Sequence, residues 1–360
     1  MKGRRGFLLA VAALGVGGLL FVGCGAKEST EQVAFVSNIL TDKTENNEAV
    51  RSGVDRYAKE HGVIANIVTP ASKDLADIEK AIDGAVEEGA RTVVCYGQEM
   101  GQAIYDMQRM ERGVRFILID GIPKDEKSGE KKIRDNTTCI TPSEEQAGFL
   151  AGYAAVSEGF RDLAVYAGAK TAAGIRNVSG FLQGAEQAAR DAGSNVDGVK
   201  VTVRYLGANT ASPYLLTEAE NRIASGCQFL YAFDSGPDYL VAQAASVAGG
   251  KAIISKRGED IPMDAVLATA DIDYGMAAFR ALEKDKEGTL LAGDMVTLNA
   301  GDGGAALLRV GNGFRYFSED NYANLVDRIG RGKVTILAED VTDETVGYAF
   351  TKAEVVTEGR

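Results

Sequence analysis

The chain is short of the residues that most enzyme chemistry uses. Histidine occurs once in 360 residues, as His61. One imidazole cannot make a paired zinc site, and a Ser-His-Asp relay would have to run through a residue at the end of a predicted helix. The patterns GxSxG, HExxH and CxxC are absent, which removes the nucleophile elbow, the zinc-protease helix and the dithiol pair. AGAKT (167–171) lacks the spacing of a phosphate loop, and DIDYG (271–275) is too short for a calcium loop and lacks its closing Glu. Scattered carboxylates remain, among them Asp42, Asp120 and Asp234. Such groups are more often solvated or ligand-binding than catalytic. No catalytic residue, metal site or cofactor is expected, and the chain does not read as an enzyme.

Cysteine is the second shortage. Of four, Cys24 lies near the start, and Cys95, Cys139 and Cys227 follow. Three cannot all pair within one chain. Each sits in or beside an apolar run, the setting of a small buried thiol. Positive charge is the third: 39 Lys and Arg against 51 Asp and Glu give a net charge of −12. A surface this acidic does not favour nucleic acid, which selects clustered cations.

A membrane-spanning run is missing as well. Phe7 to Val22 is uncharged but only 16 residues long, against about 20 for a spanning helix. Lys2, Arg4 and Arg5 precede it, and Gly23-Cys24 closes it. This is the order of a signal peptide over 1–23. Its end resembles a bacterial lipobox, with Phe21 standing where Leu, Val or Ile is usual. Cys24 would then be lipidated, with 24–31 as a tether. The rest of the chain would face the extracytoplasmic side of the bacterial cell envelope, held to a membrane by acyl chains.

What is present is an alternation of apolar runs and amphipathic segments. Strands are expected over 32–40, 63–70, 91–98 and 114–121, with helices between them. Leu75, Ile78, Ile82 and Val86 recur at spacings of three and four, one face of a helix. This β-α-β-α-β-α-β order predicts an α/β fold with a parallel sheet flanked by helices, whose ligands sit beyond the C-terminal strand ends. Those ends carry Asn38, Tyr96, Gln98 and Asp120. A charged loop follows over 122–136, and a second α/β series begins after TTCIT, its first helix opening on Ser143, Glu144 and Glu145. AVLATA and DYGMAAFRALEKDKEG supply a further strand–helix pair, and 319–336 a last helix and a strand at KVTI. About 330 residues after the leader exceed what one core usually organises.

Several segments together resemble the basic membrane protein family of substrate-binding lipoproteins of ABC importers. They are VAFVSN, VRFILIDG, SEEQAGFLAGY, NVSGFLQGAEQAAR and NLVDRIGRGKVTI, with EEQAGFLAGY the most specific. The resemblance covers about residues 32–336. It implies the two-lobe type I periplasmic-binding fold, with one small-molecule ligand in the interlobe cleft. Lobe 1 is expected over 32–140 plus about 264–295, lobe 2 over 141–263 plus about 296–338, and a loose tail over 339–360. The implied partners are ABC permease and ATPase subunits and, through the lipid, the membrane; the receptor itself is expected as a monomer.

Relatives that bind purine nucleosides carry an Asp-rich loop ending in Ser-Phe-Asn. Here the stretch is TDKTENN: Asp42 and Asn47 match, and Asn46 stands where the base-stacking Phe would be. Asn177 replaces a second Phe, and Asp271-Ile272-Asp273 occupies the place of a lysine. A wider, more polar slot suits a larger flat heterocycle with a polyol tail. Some members of the family resemble riboflavin receptors, so riboflavin is placed ahead of a purine nucleoside, with a sugar-like solute third. Asn38, Asp42, Asn46, Asn47, Tyr96, Gln98, Asp120, Asn177, Phe233, Asp234 and Asp238 are the expected ligand-binding residues, with Tyr96 and Phe233 supplying stacking faces. The leader yields the first prediction. Mass spectrometry of membrane-extracted protein should find acyl chains on Cys24, and Cys24→Ala should abolish them; an unmodified Cys24 would refute the anchor.

Overall fold

The computed structural model describes residues 32–41, 44–207, 212–256, 260–309 and 313–358. Cys24 and Asp42 lie outside them. The chain runs β1 (Gln32–Val36), α1 (Thr44–His61), β2 (Ile64–Val68), α2 (Leu75–Glu87), β3 (Thr92–Tyr96), α3 (Gly101–Met110), β4 (Arg115–Ile119) and β5 (Thr137–Thr141). It continues α4 (Glu144–Glu158), β6 (Asp162–Ala167), α5 (Ala172–Asp191), β7 (Val199–Tyr205), α6 (Pro213–Ala224), β8 (Phe229–Phe233), α7 (Ser235–Ala248), β9 (Lys251–Ile254) and β10 (Val266–Asp271). Then come α8 (Tyr274–Lys286), β11 (Asp294–Thr297), β12 (Ala306–Arg309), α9 (Glu319–Gly330) and β13 (Ala353–Glu358).

Two sheets result. The first has the order β11-β5-β4-β3-β1-β2, parallel throughout. The second has the order β12-β10-β9-β8-β6-β7-β13, with β12 antiparallel and the rest parallel. The central strands are apolar on both faces: Val93, Val94 and Cys95 in β3, and Phe116, Ile117 and Leu118 in β4, are fully buried. That pattern requires helices on each side. The sheets and their helices form the two lobes of the expected α/β fold.

The lobe boundaries differ from the sequence expectation. The stretch 264–295 does not go whole to lobe 1. β10 lies in the second sheet, between β9 and β12, where Val266, Leu267, Ala268 and Ala270 are buried. Only α8 and β11 serve the first lobe. The chain therefore crosses between lobes at 141–144, 271–274 and 297–306. Two crossings are tied together: Ser143 Oγ donates to Leu298 O at 2.6 Å, and Gln146 Oε1 accepts from Ala300 N at 2.7 Å.

The end of the chain also differs. KVTI (333–336) forms no strand; beside it, Gln183 accepts from Leu337 N and donates to Leu337 O, both at 2.8 Å. The last residues are not loose. β13 pairs with β7 over six residues. Glu186, fully buried, accepts from the backbone N–H groups of Thr351, Lys352 and Ala353. Those bonds outweigh the upward push of burial and hold its carboxyl below the usual range.

Cys95, Cys139 and Cys227 are free and buried. Cys95 and Cys139 flank Leu118 on neighbouring strands, about 10 Å apart, beyond disulfide reach. His61 closes α1 against the ring of Tyr57, with Glu283 at 3.6 Å.

Glycine sets the helix packing. A Cβ on Gly148 would fall 1.9 Å from Asn177 O, one on Gly152 2.1 Å from Phe181 O, one on Gly180 1.8 Å from Glu145 O, and one on Gly184 2.1 Å from Phe149 O. α4 and α5 therefore touch backbone to backbone. The same device joins α1 to α8 in the first lobe, where a Cβ on Gly53 would meet Gly275 O at 2.0 Å. The contrast with Gly84, inside α2 with nothing within 4 Å, yields the second prediction. In chemical denaturation Gly180→Ala should lose about 1–3 kcal/mol or more through overpacking. Gly84→Ala should gain about 0.4–1 kcal/mol by restricting the unfolded chain. Equal effects at both sites would contradict the backbone contact.

Candidate functional site

The site is built from the C-terminal ends of both sheets. After β1, Asn38 is 3 % exposed and fully engaged: Nδ2 donates to Tyr96 O at 2.8 Å, and Oδ1 accepts from Leu40 N at 2.9 Å. Its N–H donates to Asn47 Oδ1 at 3.0 Å. Asn38 and Asn47 thus brace the loop that leads into α1. Asn46, half-buried, donates to Tyr96 Oη at 3.0 Å. Tyr96 is 1 % exposed, with its ring edge-on to Tyr274 at 5.1 Å. Its face is covered, so it does not offer the stacking surface expected of it. Gln98 is exposed.

At the end of β4, Asp120 holds a left-handed backbone, φ 53°. Its Oδ2 accepts from Tyr274 Oη at 3.2 Å. In the second lobe Asp234 is exposed, with φ 82°, and its carboxylate lies over Gly168. Phe233 beside it is half-buried.

Two further expected ligand residues are, like Asn38, structural. Asn177 is fully buried in α5, accepting from Tyr231 Oη at 2.8 Å and donating to Glu144 O at 3.2 Å. Asp238 is fully buried in the first turn of α7. It accepts from Ser255 N, Ser255 Oγ and Lys256 N at 2.7–3.0 Å. Both are corrections: each spends its polar atoms inside the lobe.

The crossings supply groups that were not among the expected ligand residues. Glu144 opens α4 next to the first crossing. Burial pushes its carboxyl up to about 7, against the lowering field of Arg176, and Asp120, Asp271 and Glu145 push the same way as burial. Asp271 ends β10 at the second crossing, raised by burial to about 6 despite the Ile272 N–H and the field of Lys256. Arg176 donates to Pro142 O at 2.7 Å and lies 3.4 Å from Glu145 Oε2. Lys256, after β9, reaches Glu45 of α1 at 2.6 Å, an ion pair between lobes. The sequence held the signal for two of them: Ser143-Glu144-Glu145 as a helix start, and Asp271-Ile272-Asp273 as a missing lysine. Arg176 and Lys256 had no pattern of their own.

Carboxylates thus approach one another where the lobes meet, with Arg176 and Lys256 as counter-charges. Among the described residues no group of three or more His, Cys, Asp and Glu side chains is placed to hold a metal ion.

Two parallel-sheet lobes joined by three crossings, with polar groups gathered at the junction, define a two-lobed solute-binding protein. The family model described as "ABC transporter substrate-binding protein PnrA-like" matches residues 30–245. The chain belongs to that family, Bmp. Membership implies an extracytoplasmic location and work beside permease and ATPase subunits. No helix among the described residues is long and apolar enough to cross a membrane.

Solved structures agree on the fold. An ABC transporter solute-binding protein from Conexibacter woesei superposes with a TM-score of 0.64 at 20% identity, covering 86% of this chain and 99% of that one. A transcriptional activator of the comK gene from Bacillus halodurans gives 0.59 at 17%, covering 83% and 96%. The arabinose-binding AraP of Geobacillus stearothermophilus gives 0.51 at 13%, covering 82% and 98%. Comparison with curated protein sequences gives no match.

The third prediction concerns Glu144. Its folded pKa of about 7 lies above the ordinary 4.5. Between those values the unfolded chain releases the proton and the folded chain keeps it, so this group's contribution falls as pH rises and levels off above about 7. Glu144→Gln should match the wild type below pH about 4.5 and gain on it progressively up to pH about 7. Melting curves across that range check this; a constant difference would contradict it.

Proposed function

We propose that this protein is the solute receptor of an ABC importer, lipid-anchored through Cys24, that closes its lobes on a neutral, hydroxyl-rich heterocycle. It binds without chemical turnover and acts as a monomer. The observation that carries this reading is the approach of Asp120, Glu144 and Asp271 at the lobe junction, opposed by Arg176 and Lys256. An ionised carboxylate only accepts hydrogen bonds and matches a hydroxyl donor, while Glu144, raised to about 7, also offers a proton to an acceptor. Closure is a hinge motion on the three crossings, and the Lys256–Glu45 pair is one contact it makes or breaks.

Riboflavin stands ahead of a purine nucleoside. Asn46 turns to Tyr96 instead of presenting a ring, and half-buried Phe233 at the end of β8 is the remaining aromatic of the expected set. One aromatic wall with a polar opposite wall favours a broad ring system carrying a flexible polyol over a base clamped between two rings. The arabinose-binding neighbour keeps a sugar-like solute as the third reading. In this reading Asp120 and Asp271 accept from the polyol, Phe233 stacks, and Asn46, Gln98 and Asp234 line the mouth.

The fourth prediction tests the ligand. Protein purified without refolding should be yellow and carry the mass of a flavin. Asp120→Asn and Asp271→Asn should each weaken binding by about tenfold to a hundredfold, the loss of a charge-assisted hydrogen bond, with unchanged circular dichroism. Asn tolerates the left-handed backbone at 120. A colourless protein that titrates with guanosine or inosine, and not with riboflavin, would replace the flavin with a nucleoside.

A further inference from the structure

At the other end of the first sheet, the starts of β4 and β5 border a cavity of about 400 Å³. Its charged lining is Arg112, Arg115, Arg134 and Asp135. Arg115 is committed, with Nε 3.0 Å from Asp285 Oδ1 and Nη2 donating to Thr138 Oγ1. The guanidinium groups of Arg112 and Arg134 have no ion pair or hydrogen bond among the described residues. Two unpaired cations thus face one space in a chain of net charge −12. Asp135 is the one acidic side chain of the lining; it is exposed, as is Arg112, and water and salt screen both.

The walls are pinned by two buried amides. Gln108, 1 % exposed, accepts from Arg134 N at 3.0 Å and donates to Lys132 O at 2.8 Å. Asn136, 8 % exposed, donates to Glu111 O at 3.1 Å and Val114 O at 3.0 Å. These bonds fasten the turn that carries Arg112 to the segment that carries Arg134. The other end of the Asn136 amide is unused: Oδ1 is buried and has no donor. Gly113 keeps the space open, since a Cβ there would meet nothing within 4 Å.

A guest that fits this cavity brings negative charge for two guanidinium groups. We propose that the cavity is a second binding site, for a phosphate-bearing group. Planar guanidinium forks match phosphate oxygens bidentately, and the phosphate's charge matches two unpaired cations. The site is separate from the cleft, which lies beyond the opposite strand ends, about 17 Å away along β4. A soluble phosphate ester and a lipid headgroup offer the same chemistry.

The test uses full-length protein in neutral detergent, titrated calorimetrically with glycerol 3-phosphate and with micelles doped with phosphatidylglycerol or phosphatidylcholine. Saturable binding of glycerol 3-phosphate alone assigns a soluble ester, and a response to phosphatidylglycerol over phosphatidylcholine assigns a headgroup. In either case the double variant Arg112→Gln/Arg134→Gln should weaken binding by about tenfold or more. Gly113→Leu, which requires no backbone strain, should block the cavity while leaving solute binding in the cleft unchanged. No saturable binding to any probe, or binding that the double Gln variant retains, would overturn the site. The cleft reading stands or falls on its own titration.

Discussion

Backbone contact between helices is the constraint on which much else rests. Where α4 meets α5, four glycines bring carbonyl oxygens to within about 2 Å of where side chains would begin. No rotamer change relieves such a clash, because the obstruction is main chain. The contact fixes α5 against α4, and α4 against β10 and β12. It also determines where Glu144 and Arg176 stand, the first at the start of α4 and the second in the second turn of α5. Gly53 and Gly275 set α1 against α8 in the first lobe, and so place Asn46 and Tyr274 on either side of Tyr96. Each lobe is therefore packed backbone to backbone up to the residues that meet its partner.

The electrostatics of the junction follow from that packing. Glu144 feels both Asp120 and Asp271, and burial of Glu144 and Asp271 strips away water that would screen them. A flexible surface would relax by letting the side chains part. Here they are eased by Arg176 and by Lys256, which spans the lobes to Glu45. The charge pattern is thus tied to this lobe arrangement, in which Lys256 and Glu45 pair across the junction.

Much of the fold was legible because the strands are continuous apolar runs and the helices carry a clear face. VVCY and RFILI allow little besides a buried parallel strand. The misreadings share a cause, pairing between segments distant in sequence. AEVVTE becomes β13 only because β7 offers a free edge and Glu186 gathers three N–H groups leading into it. KVTI is apolar enough for a strand, yet the next residue, Leu337, has both its backbone groups taken by Gln183. β10 followed its apolar neighbours into the second sheet, and α8 left it. At the site, strand-end positions were readable but side-chain direction was not. Asn177 and Arg176 are adjacent, and one helical step of about 100° sends the first into the core and the second to the junction. The Tyr231 hydroxyl that captures Asn177 lies 54 residues away.

The placement of the thiols has a consequence for how the chain matures. Cys95 and Cys139 are separated by the intervening strand that carries Leu118, so the finished sheet keeps them apart. They can meet only in a chain whose β4 has not yet inserted. Export through an oxidising space gives such a chain a chance to be trapped. A disulfide between them is therefore a chemical record of incomplete assembly, legible as the loss of two hydrogen atoms in an intact mass, their electrons taken by the oxidising surroundings. Cys227 sits in the other lobe, so the pace at which each thiol becomes resistant to alkylation would time the two halves separately.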